Sequence, residues 1–171
     1  MRVVSGELRG RRIESPVGDA TRPTTDKVRE AVFNALGSAG VLDGATVLDL
    51  FAGTGAMGIE ALSRGAQRCV FVERDRNALA TLRRNIDSLG LAGRSEIVQG
   101  DALGAATRDA DVMIADPPYG FADWSDLISR ASAPFLVLEA DSPVPAPEGW
   151  QTVRERRYGR THVTFLARAS D

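Results

Sequence analysis

The sequence predicts an α/β fold in which a seven-stranded, mostly parallel sheet carries helices on both faces and follows a small N-terminal β-hairpin. Three observations support this fold. Short apolar runs alternate with helical patterns through the middle of the chain, which is typical of βαβ units. A glycine-rich loop follows the first run and opens a helix. Two further strand-like segments, separated by a two-residue turn, end the sequence.

The predicted parallel strands are short apolar runs that lack the alternation of half-exposed strands. Apolar residues at positions 79, 82, 86 and 89 give one helix an apolar face, and residues 56–65 form a shorter helix. A further helix is predicted over residues 25–37, and a closing hairpin over 152–158 and 161–167. The parallel strands are predicted at residues 46–51, 69–73, 95–99, 111–115 and 134–139.

The beginning of the chain predicts a short hairpin. Apolar residues at 3, 4, 8 and 13 flank two glycine-containing turns. We therefore divide the chain into an N-terminal hairpin extension over residues 1–20 and a main domain over residues 21–171. One compact domain is the ordinary expectation for 171 residues.

Composition excludes several classes of site and of protein. Cys69 is the only cysteine and His162 the only histidine, so neither a disulfide framework nor a Cys/His zinc site can form, and no metal is expected. No stretch approaches the roughly 20 apolar residues that cross a bilayer, and the N-terminus lacks the apolar block of a signal peptide. We expect a cytoplasmic protein without a membrane partner, and a monomer.

The formal net charge of -2 is unevenly distributed. Residues 1–30 carry seven Lys/Arg against five Asp/Glu, and residues 151–171 carry five against two, so both ends are basic. Basic clusters neutralise phosphates and make binding depend on salt, although such runs also serve simply as solvated surface. The candidate RNA-contacting residues are Arg2, Arg9, Arg11, Arg12, Arg157 and Arg160.

The segment Gly53-Thr54-Gly55-Ala56-Met57-Gly58 predicts a ligand site, because glycines at a strand-to-helix turn let a ligand approach the backbone. Glu73 lies where a nicotinamide enzyme would place its ribose-binding acid, and by glycine spacing alone a nicotinamide cofactor and S-adenosylmethionine fit almost equally well. Asp49 favours S-adenosylmethionine. A carboxylate inside an apolar strand suits the amino group of a methionine moiety and would repel a pyrophosphate, although backbone hydrogen bonds alone could also satisfy it.

Two further segments follow predicted strands at the same sheet edge. Asp101, before Ala102, could accept a hydrogen bond from an adenine amino group. Asp116-Pro117-Pro118-Tyr119 presents a carboxylate and a Pro117 carbonyl as stiffly held acceptors, because proline fixes φ and removes a donor. An exocyclic amino group of a base offers two matching N–H donors, and Tyr119 could stack on the unstacked base. The sequence therefore predicts methyl transfer to such an amino group.

Five segments resemble one bacterial family, the RsmD-type 16S ribosomal RNA guanine-N2 methyltransferases, over nearly the full length. Two of them, residues 49–61 and 71–73, belong with Asp116-Pro117-Pro118-Tyr119 to motifs that amino-methyltransferases share. The other two, residues 2–13 and 21–34, are the family-specific part.

The resemblance implies a Rossmann-like class I methyltransferase that uses S-adenosylmethionine to methylate 16S rRNA within the small ribosomal subunit or an assembly intermediate. It implies that the hairpin helps to grip RNA, that Glu73 holds the cofactor's ribose, and that residues 116–119 hold the guanine. The segment between Tyr119 and the fifth strand is shorter than is usual in the family, which predicts a short helix there. The cofactor-binding residues so implied are Asp49, Gly53, Gly55, Glu73, Asp101 and Ala102, with Arg22 and Thr24 placed nearby.

Three alternatives stay open from the sequence. An adenine-N6 methyltransferase would use the same loop chemistry, since only the flanking segments favour guanine. A non-catalytic RNA-binding assembly factor would keep the cofactor fold without turnover. A nicotinamide oxidoreductase would use the glycine loop alone.

Overall fold

The computed structural model describes residues 1–15 and 25–170, which form a single seven-stranded sheet. The strands are β1 (Thr46–Leu50), β2 (Arg68–Glu73), β3 (Ser95–Gln99), β4 (Val112–Ala115), β5 (Phe135–Ala140), β6 (Trp150–Tyr158) and β7 (Thr161–Arg168). Their order across the sheet is β3-β2-β1-β4-β5-β7-β6. The first five strands are parallel, and β7 pairs antiparallel with both β5 and β6. The predicted mostly parallel sheet is confirmed.

Local sequence fixes where the main helices begin and end. In the described residues the helices are α1 (Asp26–Ala39), α2 (Ala56–Ser63), α3 (Arg76–Ser88), α4 (Ala102–Ala105) and α5 (Trp124–Arg130), with a 3₁₀ turn at Ala92–Arg94. The Thr25 hydroxyl accepts the Val28 N–H at 3.2 Å at the start of α1, and Gly40 ends that helix with φ of 70°. The Asp75 carboxylate accepts the Ala78 N–H at 2.8 Å at the start of α3.

Helices cover both faces of the sheet, as predicted. On one face, α1, α2 and α3 bury residues such as Phe33, Leu62 and Leu82 against β1 and β2. On the other face, α4 and α5 bury residues such as Ala102 and Leu127 against β1, β4 and β5. The central strands are covered on both sides, which explains their continuous apolar runs.

The predicted N-terminal hairpin is present, but it lacks regular strands. Residues 1–13 do fold back antiparallel, and the Val3 and Ile13 N–H groups donate to the Arg11 and Met1 carbonyls at 2.9 and 2.8 Å. Only one isolated bridge, between Arg2 and Arg12, forms there. Turns fill residues 5–10 because Gly6 and Gly10 adopt φ of 90° and 83°, which interrupt extended backbone.

This N-terminal segment packs into the main core. Val3 and Ile13 are 2% and 0% exposed and belong to the same apolar cluster as α1 and α2. Buried Glu60 of α2 accepts the Val4 and Ser5 N–H groups at 3.1 and 3.2 Å. Whether residues 1–20 form a separate RNA-contacting unit stays a prediction.

Most predicted element boundaries are close to the observed ones, with informative exceptions. β1 ends at Leu50, one residue before the prediction, because Phe51 turns into a positive φ of 58°. α2 ends at Ser63, two residues before the end of the helix predicted over residues 56–65. α4, which spans four residues, was not predicted. α5 is short, as the brief segment after Tyr119 indicates. No helix in the ranges 1–15 and 25–170 is long and apolar enough to cross a bilayer.

Candidate active site at the carboxyl edge of the sheet

The register of the parallel strands aligns the ends that carry the predicted site residues. Leu50 pairs with Val72 on one side and with Ala115 on the other. The next residues along these three strands are therefore Phe51, Glu73 and Asp116. The glycine loop, Glu73 and the Asp-Pro-Pro-Tyr segment thus meet at one sheet edge, where open α/β sheets bind ligands.

The glycine loop leaves open space next to its backbone at Gly53. Gly53 adopts φ of 57°, and a Cβ added there would meet nothing within 4 Å. Gly55 differs, because its missing Cβ makes room for the Leu82 side chain. A ligand can therefore approach the backbone at Gly53, whereas Gly55 allows α2 to pack closely on α3.

Glu73 fastens the glycine loop to the end of β2. One carboxylate oxygen accepts the Gly53 N–H at 2.8 Å, and the other accepts the Arg74 and Asp75 N–H groups, each at 3.0 Å. Because a carboxylate has about four lone-pair sites, Glu73 retains capacity for a ligand hydroxyl. The structure places Glu73 beside Gly53, as the sequence predicts.

Asp49 is a buried acid in β1, two residues before Phe51 at this edge of the sheet. Its carboxyl group is 2% exposed and accepts the Gly58 N–H at 3.0 Å, so the backbone hydrogen bond considered as an alternative is present. Burial, and then the negative charges of Asp116 and Glu73, raise the pKa of Asp49 to about 8 despite that hydrogen bond. A cation bound near Asp49 would offset these effects, which a backbone hydrogen bond alone does not.

Asp101 and Ala102 lie at the neighbouring strand end. Asp101 follows β3 by two residues, is exposed, and caps α4 by accepting the Gly104 N–H at 3.3 Å. Ala102 is buried in the cluster under α4. The Gly100 N–H donates to the Glu73 carbonyl at 3.1 Å, which brings this turn beside the end of β2.

The Asp116 segment leaves β4 and borders a shallow, open depression of the surface. Asp116 and Pro117 are half-buried, whereas Tyr119 is 65% exposed. The exposed ring can stack on a flat ligand. The depression is lined by residues 117–121, Trp124 and residues 139–141.

An aromatic cluster that the sequence did not predict joins the two loops. The Phe121 ring contacts Phe51 at 5.3 Å and Trp124 at 4.9 Å between centroids, both edge to face. Phe51 is the one non-glycine residue with positive φ in the described parts of the chain. Packing against Phe121 therefore accompanies a strained backbone that turns the chain into the glycine loop. The only sequence signal was Phe121 two positions after Tyr119.

The predicted RNA-contacting arginines are all exposed but lie in two regions. Ala140 at the end of β5 pairs with His162, so the β6–β7 turn with Arg157 and Arg160 lies at the site edge. Arg9 lies in a turn held by Ser63 at the far end of α2, where the Glu7 N–H donates to the Ser63 carbonyl at 2.9 Å. Arg2 and Arg12 share the single bridge, and Arg11 donates to the Ser88 carbonyl at 3.0 Å. The structure does not bring the two groups together.

Two predicted cofactor-binding residues, Arg22 and Thr24, lie outside the described residues, so their placement stays a prediction. Among the described residues, Gly53, Asp49 and Glu73 suit S-adenosylmethionine, whereas Gly55 and Ala102 face the protein interior. Gly53 provides open backbone, Asp49 a buried acid for an amino group, and Glu73 an acceptor for ribose hydroxyls. A pyrophosphate fits less well, because Glu73 and Asp116 place negative charge beside the loop and Asp49 would be forced to stay protonated next to a phosphate.

Comparison with known proteins identifies the family. The model of the family described as conserved hypothetical protein 95 matches residues 1–167. YlbH of Bacillus subtilis, provisionally named an rRNA methyltransferase, is 38% identical over 96% of this chain and 97% of its own length. Ribosomal RNA small subunit methyltransferase D of Escherichia coli is 31% identical over 98% of this chain and 90% of its own length.

Solved structures agree with this family and fold. The Escherichia coli protein yhhF, provisionally named a methyltransferase, superposes with a TM-score of 0.86 at 31% identity, covering 100% of this chain and 99% of its own. An RNA methyltransferase from Salinibacter ruber, in complex with S-adenosyl-L-homocysteine, shares the fold with a TM-score of 0.67 at 23% identity, covering 88% and 95%. The Rossmann-like class I methyltransferase fold is therefore confirmed, and the chain belongs to the RsmD-type methyltransferase family that its motifs resemble.

Proposed function

We propose that this protein transfers the methyl group of S-adenosylmethionine to the exocyclic N2 of a guanine in 16S rRNA of the small ribosomal subunit. The observation that carries the proposal is the juxtaposition of two loops. The strand register sets the open Gly53 backbone and the Asp116 segment at adjacent strand ends. A methyl donor in the first loop would face an amino group held by the second.

An exocyclic amino group is a weak nucleophile that must be activated, and the site residues are suited to activate it. Its lone pair is delocalised into the base until both hydrogens are held and the nitrogen becomes more tetrahedral. The Asp116 carboxylate and the Pro117 carbonyl are acceptors fixed by two prolines. Tyr119, exposed beside them, stacks on the base once it leaves its helix.

The cofactor supplies an electrophilic methyl group on a positively charged sulfur. The base nitrogen forms the new bond to that carbon, the carbon–sulfur bond breaks with its electrons going to sulfur, and the nitrogen loses one proton to Asp116 or to water. Asp49, Glu73 and Asp101 bind and orient the cofactor, with Asp49 on the amino group and Glu73 on the ribose. This role for Asp116 is mainly electrostatic positioning.

Guanine and small-subunit rRNA are supported by the family rather than by the loop chemistry. The Escherichia coli relative is named a small subunit methyltransferase, and its similarity extends over the N-terminal residues that general amino-methyltransferases lack. Arg157 and Arg160 lie at the site edge, where they can contact phosphates around the target. The protein acts as a cytoplasmic monomer on the subunit or on an assembly intermediate.

The test is methyl transfer to small ribosomal subunits from a bacterial strain that lacks the corresponding enzyme. Digested product should contain N2-methylguanosine, identified by mass spectrometry. If N6-methyladenosine is found instead, the target base is adenine and the guanine assignment is wrong. RNA binding without any methylated nucleoside would favour a non-catalytic assembly factor.

Asp116→Ala identifies the residue that positions the amino group. It should lower kcat/KM by about 10²–10³-fold, the usual effect of losing one such electrostatic contact, while retaining S-adenosylhomocysteine and RNA binding. Asp123→Ala is the matched control, because Asp123 is an exposed acid nearby whose side chain caps no helix bond. Equal activity of Asp116→Ala and Asp123→Ala would rule out the assigned role.

A further inference from the structure

Asn85 of α3 is a buried polar residue that bridges two distant parts of the chain. Its side chain is inside the protein, with the residue 1% exposed. Its amide nitrogen donates to the Thr54 carbonyl in the glycine loop at 2.9 Å and to the Glu14 carbonyl at 3.0 Å. Its amide oxygen accepts the Glu14 N–H at 2.9 Å. One side chain thus holds both backbone groups of Glu14 and one group of the glycine loop.

We propose that Asn85 is a positioning residue for the cofactor, which holds the glycine loop in its binding geometry and ties that geometry to the N-terminal segment. The Thr54 carbonyl is the group between Gly53 and Gly55, both of which have positive φ. Fixing this carbonyl fixes the peptide plane that precedes Gly55, at the start of α2. The Gly53 backbone then stays open towards the ligand.

Chemistry explains why asparagine serves at this position. Two carbonyl acceptors and one N–H donor surround the side chain, so the residue needs two donors and one acceptor at a buried site. Aspartate lacks the donors, and an aliphatic residue leaves three backbone groups without this partner. The bridge also gives the cofactor a route to order residues 13–15, since a ligand that stabilises the loop stabilises everything Asn85 holds there.

A second set of contacts holds the N-terminal segment without touching the loop. Ser63 at the end of α2 accepts the Leu8 N–H at 3.0 Å and donates to the Ser5 carbonyl at 2.6 Å. Arg84, the neighbour of Asn85, reaches the Glu14 carboxylate at 3.1 Å. Ser63 and Arg84 provide matched controls, because each tethers the same segment through side-chain hydrogen bonds that do not involve residues 53–55.

The experiment compares Asn85→Ala with Ser63→Ala and Arg84→Ala in the full chain. Dissociation constants for S-adenosylhomocysteine are measured by calorimetry, and thermal stability is measured alongside. We expect Asn85→Ala to weaken binding of S-adenosylhomocysteine about tenfold, which is equivalent to one buried hydrogen bond. Both controls should change this affinity less than about twofold. With saturating cofactor, Asn85→Ala should recover kcat, because the loss lies in the KM for the cofactor.

An equal loss of affinity in Ser63→Ala at equal loss of stability would overturn the proposal, since the effect would then be general destabilisation. If Asn85→Ala does not fold, Asn85→Asp keeps the acceptor for Glu14 and removes both donors. Wild-type hydrogen exchange needs no variant. S-adenosylhomocysteine should slow exchange of the Glu14 amide, and protection of the glycine loop without protection at Glu14 would sink the proposed coupling. These measurements of cofactor binding do not depend on which base is methylated. The proposal for Asn85 can therefore fail while the guanine assignment stands.

Discussion

Asp49 shows how a single buried acid can be costly to the fold and useful to the site. Its strand neighbours Leu48 and Leu50 are fully buried, so its carboxyl group loses hydration that one backbone N–H only partly replaces. The pKa is raised from 3.8 to about 8, and the protonated form therefore dominates at neutral pH without a ligand. A bound cation reverses this preference, because it stabilises the ionised form.

This pKa predicts proton release when the cofactor product binds. Near pH 7, binding of the amino group of S-adenosylhomocysteine to Asp49 should release up to one proton from the carboxyl group. Calorimetry in phosphate and in Tris should then give different apparent enthalpies, and affinity should increase as the pH rises towards about 8. Identical enthalpies in both buffers would contradict the assignment of Asp49 to the amino group.

Asp49→Asn should separate stability from binding. An acid whose pKa is raised in the folded state contributes stability below its unfolded pKa, and loses that contribution as the pH rises through the folded value. Without cofactor, the variant should therefore unfold at a higher urea concentration than wild type at pH 8.5 and at a similar one at pH 4. We expect a gain of at least about 1 kcal/mol at the higher pH, together with loss of S-adenosylhomocysteine binding. A variant that binds normally would show that Asp49 does not contact the amino group.

The glycine loop shows the same division of roles at the level of an element. Gly53 faces open space and Gly55 faces Leu82, although both adopt left-handed φ. Sequence spacing predicts both as cofactor-binding glycines, because it cannot tell which missing Cβ leaves room for a ligand and which leaves room for the core. Only the packing of α2 on α3 distinguishes them.

Gly53→Ala and Gly55→Ala form a matched pair that tests this difference. Each places a side chain at positive φ, at a cost of about 1–2 kcal/mol. Gly53→Ala should cost little stability beyond this backbone strain. It should weaken binding of S-adenosylhomocysteine more than tenfold, because the new Cβ occupies the open face of the loop. Gly55→Ala should lose a further 1–3 kcal/mol or so in urea unfolding, because its Cβ meets Leu82. Equal binding losses at equal stability would show that the two glycines are not distinct.

The regular elements were predictable from the sequence, whereas the contacts between elements were not. Period and apolar runs predict the strands that carry Asp49, Glu73 and Asp116, because these strands are buried on both faces. The aromatic contact of Phe51 with Phe121, and the bridge from Asn85 to Thr54 and Glu14, join residues far apart in the chain. Neither has a local pattern. The N-terminal turn likewise depends on Glu60 and Ser63 in α2, not on its own alternation.

At the scale of the whole molecule, basic charge lies at both ends of the sheet rather than around one pocket. The β6–β7 turn with Arg160 shares the edge of the active site, and Arg9 lies beside the far end of α2. The site itself is negatively charged, since Glu73 and Asp116 lie beside Asp49, which ionises when a cation binds. Phosphates are therefore attracted to the margin of the site, while the acidic centre favours the cationic cofactor and the amino donors of the base.

This arrangement predicts unequal effects of two single arginine substitutions on RNA binding. Arg160→Ala should reduce the slope of log affinity against log salt by about one, as expected for one lost phosphate contact, and raise the KM for the subunit. Arg9→Ala should have the smaller effect, because RNA reaches it only by following the α1–α3 face away from the active site. Arg83→Ala, on the exposed side of α3, is the control of equal charge and should change neither quantity. The measurement is filter binding of small subunits at several salt concentrations. A larger effect of Arg9 than of Arg160 would mean that RNA enters along the N-terminal segment, and that the β6–β7 turn does not border the bound RNA.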